Sequence, residues 1–120
     1  VVAATLSNGG KVVSPQIATA YRKPDGDWHL IEITSSPTLV EEFNADEAAN
    51  LLSSGNIPGW EISAYALHEE AKISWFVAGT PGDWFGTPVV AVVALENGSP
   101  AAARQLGEQL FLQATTYDAQ

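Results

Sequence analysis

Trp60-Glu61-Ile62-Ser63-Ala64-Tyr65-Ala66-Leu67, Ile73-Ser74-Trp75-Phe76-Val77-Ala78 and Val89-Val90-Ala91-Val92-Val93-Ala94-Leu95 are three runs rich in β-branched and aromatic residues, the composition that fits a pleated surface. His68-Glu69-Glu70 separates the first two, and the breaker-rich Gly79-Thr80-Pro81-Gly82-Asp83-Trp84-Phe85-Gly86 separates the second from the third. Such spacing predicts a three-strand meander. The first run half-alternates, whereas the third is apolar throughout, which predicts burial on both faces and a central place in the sheet.

Downstream, Asn97-Gly98 turns the chain, Ser99 supplies an N-cap and Pro100 stands where the first helical position tolerates it. A helix is expected from about Ala101. Ala102, Leu106, Gln109, Leu110 and Gln113 recur at spacings of three and four, and Leu110, Phe111 and Ala114 complete an apolar stripe that packs on the sheet. Residues 115–120 lack the stripe and are expected to be a loose tail. Upstream, Asn44-Ala45-Asp46-Glu47 carries an N-cap residue with Glu three positions later, predicting a short helix that closes near Gly55. Lys11-Val12-Val13 is a short β-prone run. Pro24-Asp25-Gly26-Asp27 is a tight turn between Ile17–Tyr21 and Trp28–Thr34, hence a β-hairpin. Val1 to Ser7 is apolar and stops at Asn8-Gly9-Gly10, a helix C-terminus whose start lies further upstream. The whole is expected to be α+β: an antiparallel sheet, a three-strand meander plus a hairpin, with helices packed on it, in one domain or segment over residues 1–120.

Composition bounds the function. The chain has 120 residues, 46% hydrophobic and 16% charged, which is globular usage. Five Lys and Arg against fourteen Asp and Glu give a net charge of −9, which argues against nucleic acid or an anionic membrane surface as partner. The absence of Cys removes disulfides, thiolate zinc sites and Cys nucleophiles. The longest apolar run falls far short of the roughly 20 residues that span a bilayer. There is no Met and no signal-peptide pattern at Val1-Val2-Ala3-Ala4, so the chain looks like an excised piece.

Several of these marks, in order, resemble the C-terminal portion of the transpeptidase domain of penicillin-binding proteins. Ala4-Thr5-Leu6-Ser7-Asn8-Gly9-Gly10-Lys11-Val12-Val13-Ser14-Pro15-Gln16-Ile17 is similar to the stretch in which a helix of that family ends at Asn-Gly-Gly and a strand runs toward a proline. Trp75-Phe76-Val77-Ala78-Gly79, Val89 to Leu95, Glu96-Asn97-Gly98 and the Ala-rich last helix resemble that domain's closing strands and final helix. The resemblance covers nearly all of residues 1–113. It implies an active-site Ser-x-x-Lys, a Ser-x-Asn and a Lys-Thr-Gly on the strand that edges the cleft. No Ser-x-x-Lys occurs in the chain, and the single Ser-x-Asn, Ser54-Gly55-Asn56, lies downstream of Asn8-Gly9-Gly10, out of place. Where Lys-Thr-Gly should fall the chain has Trp60-Glu61-Ile62, followed by Ser63. Trp60 carries no positive charge, Glu61 would repel a substrate carboxylate, and Ile62 would fill the space a glycine leaves for a substrate backbone.

The expectation is therefore a non-catalytic transpeptidase-like segment in peptidoglycan synthesis. No residue is assigned a catalytic role, and no cofactor or metal is expected. Its partners would be the remainder of the parent transpeptidase domain and peptidoglycan or cell-wall and division proteins, on the extracytoplasmic side of a bacterial membrane through an anchor outside the chain. Two alternatives stay open: a segment of an active D,D-transpeptidase whose Ser-x-x-Lys lies upstream, and an unrelated acidic α+β binding module that docks through Trp84 and Phe85. Other constellations carry less. His68-Glu69-Glu70 has only His29 as a further imidazole to build a metal site. Asp25-Gly26-Asp27 lacks the twelve-residue calcium pattern, and Ser63, His68 and Asp83 form a triad only on paper, without a Gly-x-Ser-x-Gly elbow. Trp28 and Trp75, on strands, are expected in the core.

Overall fold

The computed structural model describes residues 1–15, 18–32, 37–68 and 71–117. Its elements are α1 (Val2–Ser7), β1 (Ala20–Arg22), β2 (Trp28–Leu30), α2 (Glu42–Leu51), β3 (Trp60–His68), β4 (Ala71–Gly79), β5 (Val90–Glu96) and α3 (Pro100–Tyr117). They form an α+β fold with one two-stranded and one three-stranded antiparallel sheet. Asn8, Gly9 and Gly10 end α1, and Gly10 does so at φ +80, where a side chain would be strained and would overlap the Val40 carbonyl. The Gly10 carbonyl accepts from Leu39 N (3.0 Å) and Val40 N (3.3 Å), which fixes the entry to α2. That entry explains why α2 starts at Glu42, two residues before Asn44, and ends at Leu51: Glu41 is its N-cap residue, and Asn44 lies in the first turn instead of capping it.

The hairpin pairs Ala20 with Leu30 and Arg22 with Trp28. Its turn is closed by Lys23 N to Asp27 O (2.9 Å), Asp27 N to the Asp25 carboxylate (3.2 Å) and Arg22 Nε to Gly26 O (3.0 Å). The two aspartates are thus accounted for by turn chemistry. Ile17, Ile33 and Thr34, at the outer ends of the expected strands, lie outside the described residues, as do Glu69 and Glu70. Lys11, from the short β-prone run, bridges to Thr38.

The three-stranded sheet runs β3-β4-β5, with Trp60 opposite Gly79, Phe76 opposite both Ser63 and Val93, and Val77 opposite both Ile62 and Val92. Opposed residues share a face, so one face carries Phe76, Ala78, Ala91, Val93 and Leu95, and the other carries Ile62, Ile73, Trp75, Val77, Val90 and Val92. The first face is the core. Phe76, Ala78, Val93, Ala103 and Phe111 pack there with Ile57. The predicted cap holds, with Ala102 N on Ser99 Oγ at 3.1 Å. The buried stripe of α3 is Ala103, Gly107, Phe111 and Thr115. Leu106 and Leu110, expected inside, flank it at 42% and 46% exposure. The helix also runs past the expected end: the Thr115 hydroxyl bonds back to Phe111 O (2.9 Å), and only residues 118–120 of the expected tail lie outside the described chain.

Two further expectations are corrected. β5 is an edge strand and β4 is the central one; an all-apolar run reports which faces and edges resist water, not which neighbour is present. Trp28 and Trp75 are not in the core but 70% and 40% exposed. Trp28 sits on a two-stranded ribbon, and Trp75 on the sheet face that α3 does not cover. Gly107 is where helix and sheet come closest, since a Cβ there would overlap the Phe76 ring. Gly107→Ala is expected to lower stability by about 1–2 kcal/mol, the overpacking cost exceeding the helix-propensity gain; an unchanged or higher urea midpoint would contradict this packing.

Candidate functional site

The opening residues of β3, where the resemblance puts the cleft edge, are held from both faces and along the backbone. Trp60 alternates onto the face away from α3 and is 3% exposed. Its indole crosses Gly79, its cross-strand partner, where a Cβ would collide with both the indole and Ser7 Oγ. Trp60 Nε1 donates to Ser7 Oγ at 3.0 Å, a buried bond that ties β3 to the last turn of α1. A buried indole N–H needs such a partner.

Glu61 points to the opposite face and is also buried, at 9% exposure. Its Oε1 forms an ion pair with Arg104 Nη2 of α3 and accepts from Ser54 Oγ and from Asn56 Nδ2 (3.3 Å). Its Oε2 is buried without a hydrogen-bond partner among the described residues. Arg104 Nε also donates to Glu108 Oε1 at 2.7 Å. The hydrogen bond that Arg104 donates to Glu108 and the charge of Glu61 hold the Arg104 guanidinium pKa above its ordinary value. The backbone is engaged too, Glu61 N donating to Leu52 O (3.2 Å), just past α2. Ser54-Gly55-Asn56, out of place for a catalytic Ser-x-Asn, is thus a ligand loop for the Glu61 carboxylate.

Ile62 is 47% exposed on the face of Trp60, and Ser63 is exposed on the face of Glu61. Of the residues that make a triad with Ser63 on paper, His68 is five residues along the same extended strand, roughly 17 Å away. Asp83 lies in the β4–β5 loop. Among the described residues no group of three His, Asp or Glu could hold a metal ion. The side chains of His68-Glu69-Glu70, weighed above as metal ligands against a polar turn, lie outside the described residues.

The β4–β5 loop splits its aromatic pair. Trp84 is half-buried, its N donating to Pro81 O (3.2 Å), and its Nε1 is buried without a hydrogen-bond partner among the described residues. Phe85 is fully exposed at 102%. Sequence reasoning found Trp60 and Glu61 but missed Ser7, Gly79, Ser54, Asn56 and Arg104, which hold them. A lone Ser or Arg carries no local signal for a partner 53 or 43 residues away.

No family model matches the chain, and neither a curated protein nor a solved structure matches it. Among the described residues no helix is long and apolar enough to cross a membrane.

Trp60→Lys, the substitution that would restore a cleft lysine, is expected to destabilise the fold by at least about 3 kcal/mol, because it vacates a buried aromatic site and buries an amine there. Ser7→Ala should cost about 1–3 kcal/mol by orphaning the indole N–H. Denaturant unfolding followed by far-UV circular dichroism reads both, and a stable, well-folded Trp60→Lys variant would contradict the description of Trp60 as a buried tie.

Proposed function

We propose that the chain is a non-catalytic, transpeptidase-like segment of a bacterial penicillin-binding protein, serving cell-wall synthesis as a structural and docking unit. The observation that carries this reading is the state of the β3 opening. A cleft-edge strand that served acyl transfer would leave its first residues free for a substrate carboxylate and backbone. Here Trp60 is bonded to Ser7, Glu61 is neutralised by Arg104, and the Glu61 N–H is taken by Leu52. Two observations support the segment being a component of a larger domain. The helix ended by Asn8-Gly9-Gly10, the closing strands and the long final helix, on which the resemblance rests, occur in that order. The face opposite α3 keeps Ile62, Trp75 and Val92 at 47%, 40% and 55% exposure.

In this reading the remainder of the parent domain lies on the Ile62–Trp75–Val92 face, and the parent stands on the extracytoplasmic side of a bacterial membrane. A second reading, a docking module of another kind, is favoured by one observation, the fully exposed Phe85 at the loop tip. Phe85→Ala would abolish partner or glycan capture in that case and leave the fold intact.

The deciding experiment is exposure of the longer natural polypeptide that contains residues 1–120 to a fluorescent penicillin, with the 120-residue chain as a control. Folded polypeptide that stays unlabelled is the expected result; covalent labelling would mean that an upstream serine works beside Trp60 and would overturn the non-catalytic reading. In parallel, the 120-residue chain should bind a hydrophobic dye that the longer polypeptide excludes. Equal dye binding by both would contradict the covered face.

A further inference from the structure

Two exposed surfaces of the chain lack a partner and are opposite in charge. The first is the β1–β2 ribbon. Its strands contact each other and no other element among the described residues, and a two-stranded ribbon is marginally stable in water by itself. The register puts Tyr21 and His29 on one face, where their rings stack at 5.6 Å. The other face carries Arg22 opposite Trp28 and Ala20 opposite Leu30, with Trp28 and Leu30 70% and 82% exposed. Arg22 donates its Nε to Gly26 O and forms no ion pair among the described residues. Asp25 and Asp27 belong to the turn beyond this ladder, so the open face is apolar and cationic.

The second is the outer side of α2. Ala45 and Ala49 are its buried residues. At 100° per residue Phe43, Glu47 and Leu51 form a row on the opposite side, with Asp46 and Asn50 beside it. These five residues line an open groove of about 340 Å³, in which Phe43 and Leu51 are 74% and 81% exposed. Asp46 and Glu47 form no ion pair among the described residues, and Asp46 Oδ1 is buried there without a hydrogen-bond partner. The groove is thus apolar at its two ends and anionic between them.

We infer that the ribbon of one copy of this chain docks in the α2 groove of a second copy, Trp28 and Leu30 packing between the two apolar ends and Arg22 pairing with Glu47 of the partner subunit. Charge complementarity selects the occupant. Of the five cations, Arg104 is committed to Glu61 and Glu108, and Lys72 lies over the Tyr65 ring. Arg22 stands beside two exposed apolar side chains, the combination that an acidic groove ended by Phe43 and Leu51 accepts. The ribbon makes no contact with its own α2, so the pairing is between copies. Because the two surfaces are complementary and not identical, a two-fold axis closes the assembly by making the same contact twice. The net charge of −9 opposes association at long range. At about 0.15 M ionic strength the Debye length is about 8 Å, so remote carboxylates are screened while a desolvated contact pair is screened much less. The inference uses neither the Trp75 face nor the β3 opening, does not rest on the transpeptidase reading, and is unaffected by penicillin labelling of the parent.

The test is a charge swap read by sedimentation equilibrium of the 120-residue chain. The wild type should show twice the chain mass at micromolar concentration. Arg22→Glu and Glu47→Arg should each be monomeric with an unchanged far-UV spectrum, because each sets like charges against one another across the contact. The double variant, and an equimolar mixture of the two single variants, should recover the dimer, since the reversed pair is again opposite in sign. Recovery separates this contact from a damaged ribbon and from association through the Ile62–Trp75–Val92 face, neither of which a second charge reversal repairs. A single variant that still dimerises, or a double variant and a mixture that both stay monomeric, would overturn the proposal. A monomeric wild type would overturn it too, leaving both surfaces to the longer polypeptide or to another protein.

Discussion

A sheet with apolar residues on both faces, and one long helix that covers only one of them, is the constraint from which the rest of this molecule follows. α3 meets β4 so closely at Gly107 that the Phe76 ring occupies the space of a side chain, and Phe111, Ala103 and Val93 close the core around that contact. Burying Phe76 and Phe111 contributes several kcal/mol by itself. On the other face nothing comparable happens. α1, six residues long, reaches one corner of it through Ser7 and Trp60, and Trp75 and Val92 remain in contact with water.

The same asymmetry organises the β3 opening. Because residues alternate, Trp60 must go to the face of α1 and Glu61 to the face of α3. The indole finds a hydroxyl and the carboxylate finds a guanidinium, and Gly79 makes the first of these possible by having no Cβ in the way. Buried charge needs compensation from several donors, and Glu61 Oε1 gathers three, from α3 and from the loop after α2. The strand start is thereby a junction of α1, α2, β4 and α3. Its residues work as structural ties, and that is the physical content of a non-catalytic reading.

Much of the fold was legible in sequence because its signals are local. The hairpin follows from Pro24-Asp25-Gly26-Asp27, the end of α1 from Asn8-Gly9-Gly10, the start of α3 from Ser99-Pro100, and the meander from three β-prone runs. The errors share one cause. Placing Val89–Leu95 at the sheet centre and Trp28 and Trp75 in the core equates an apolar residue with a buried one, whereas burial depends on whether a partner layer exists. The start of α2 was misplaced because a tertiary contact, Gly10 with Leu39 and Val40, outweighs the capping pattern at Asn44. At the candidate site, the residue types at positions 60 to 63 were legible and their partners were not, since each partner comes from a different element.

In the proposed reading, the half-exposed Trp75 face is covered by the remainder of the parent polypeptide. Oxidative footprinting read by mass spectrometry tests it directly, with Trp60 as internal control. The account predicts that Trp75 is modified readily in the 120-residue chain and protected in the longer natural polypeptide, while Trp60 is protected in both. Trp75 equally reactive in both, with Trp60 still protected, would contradict it.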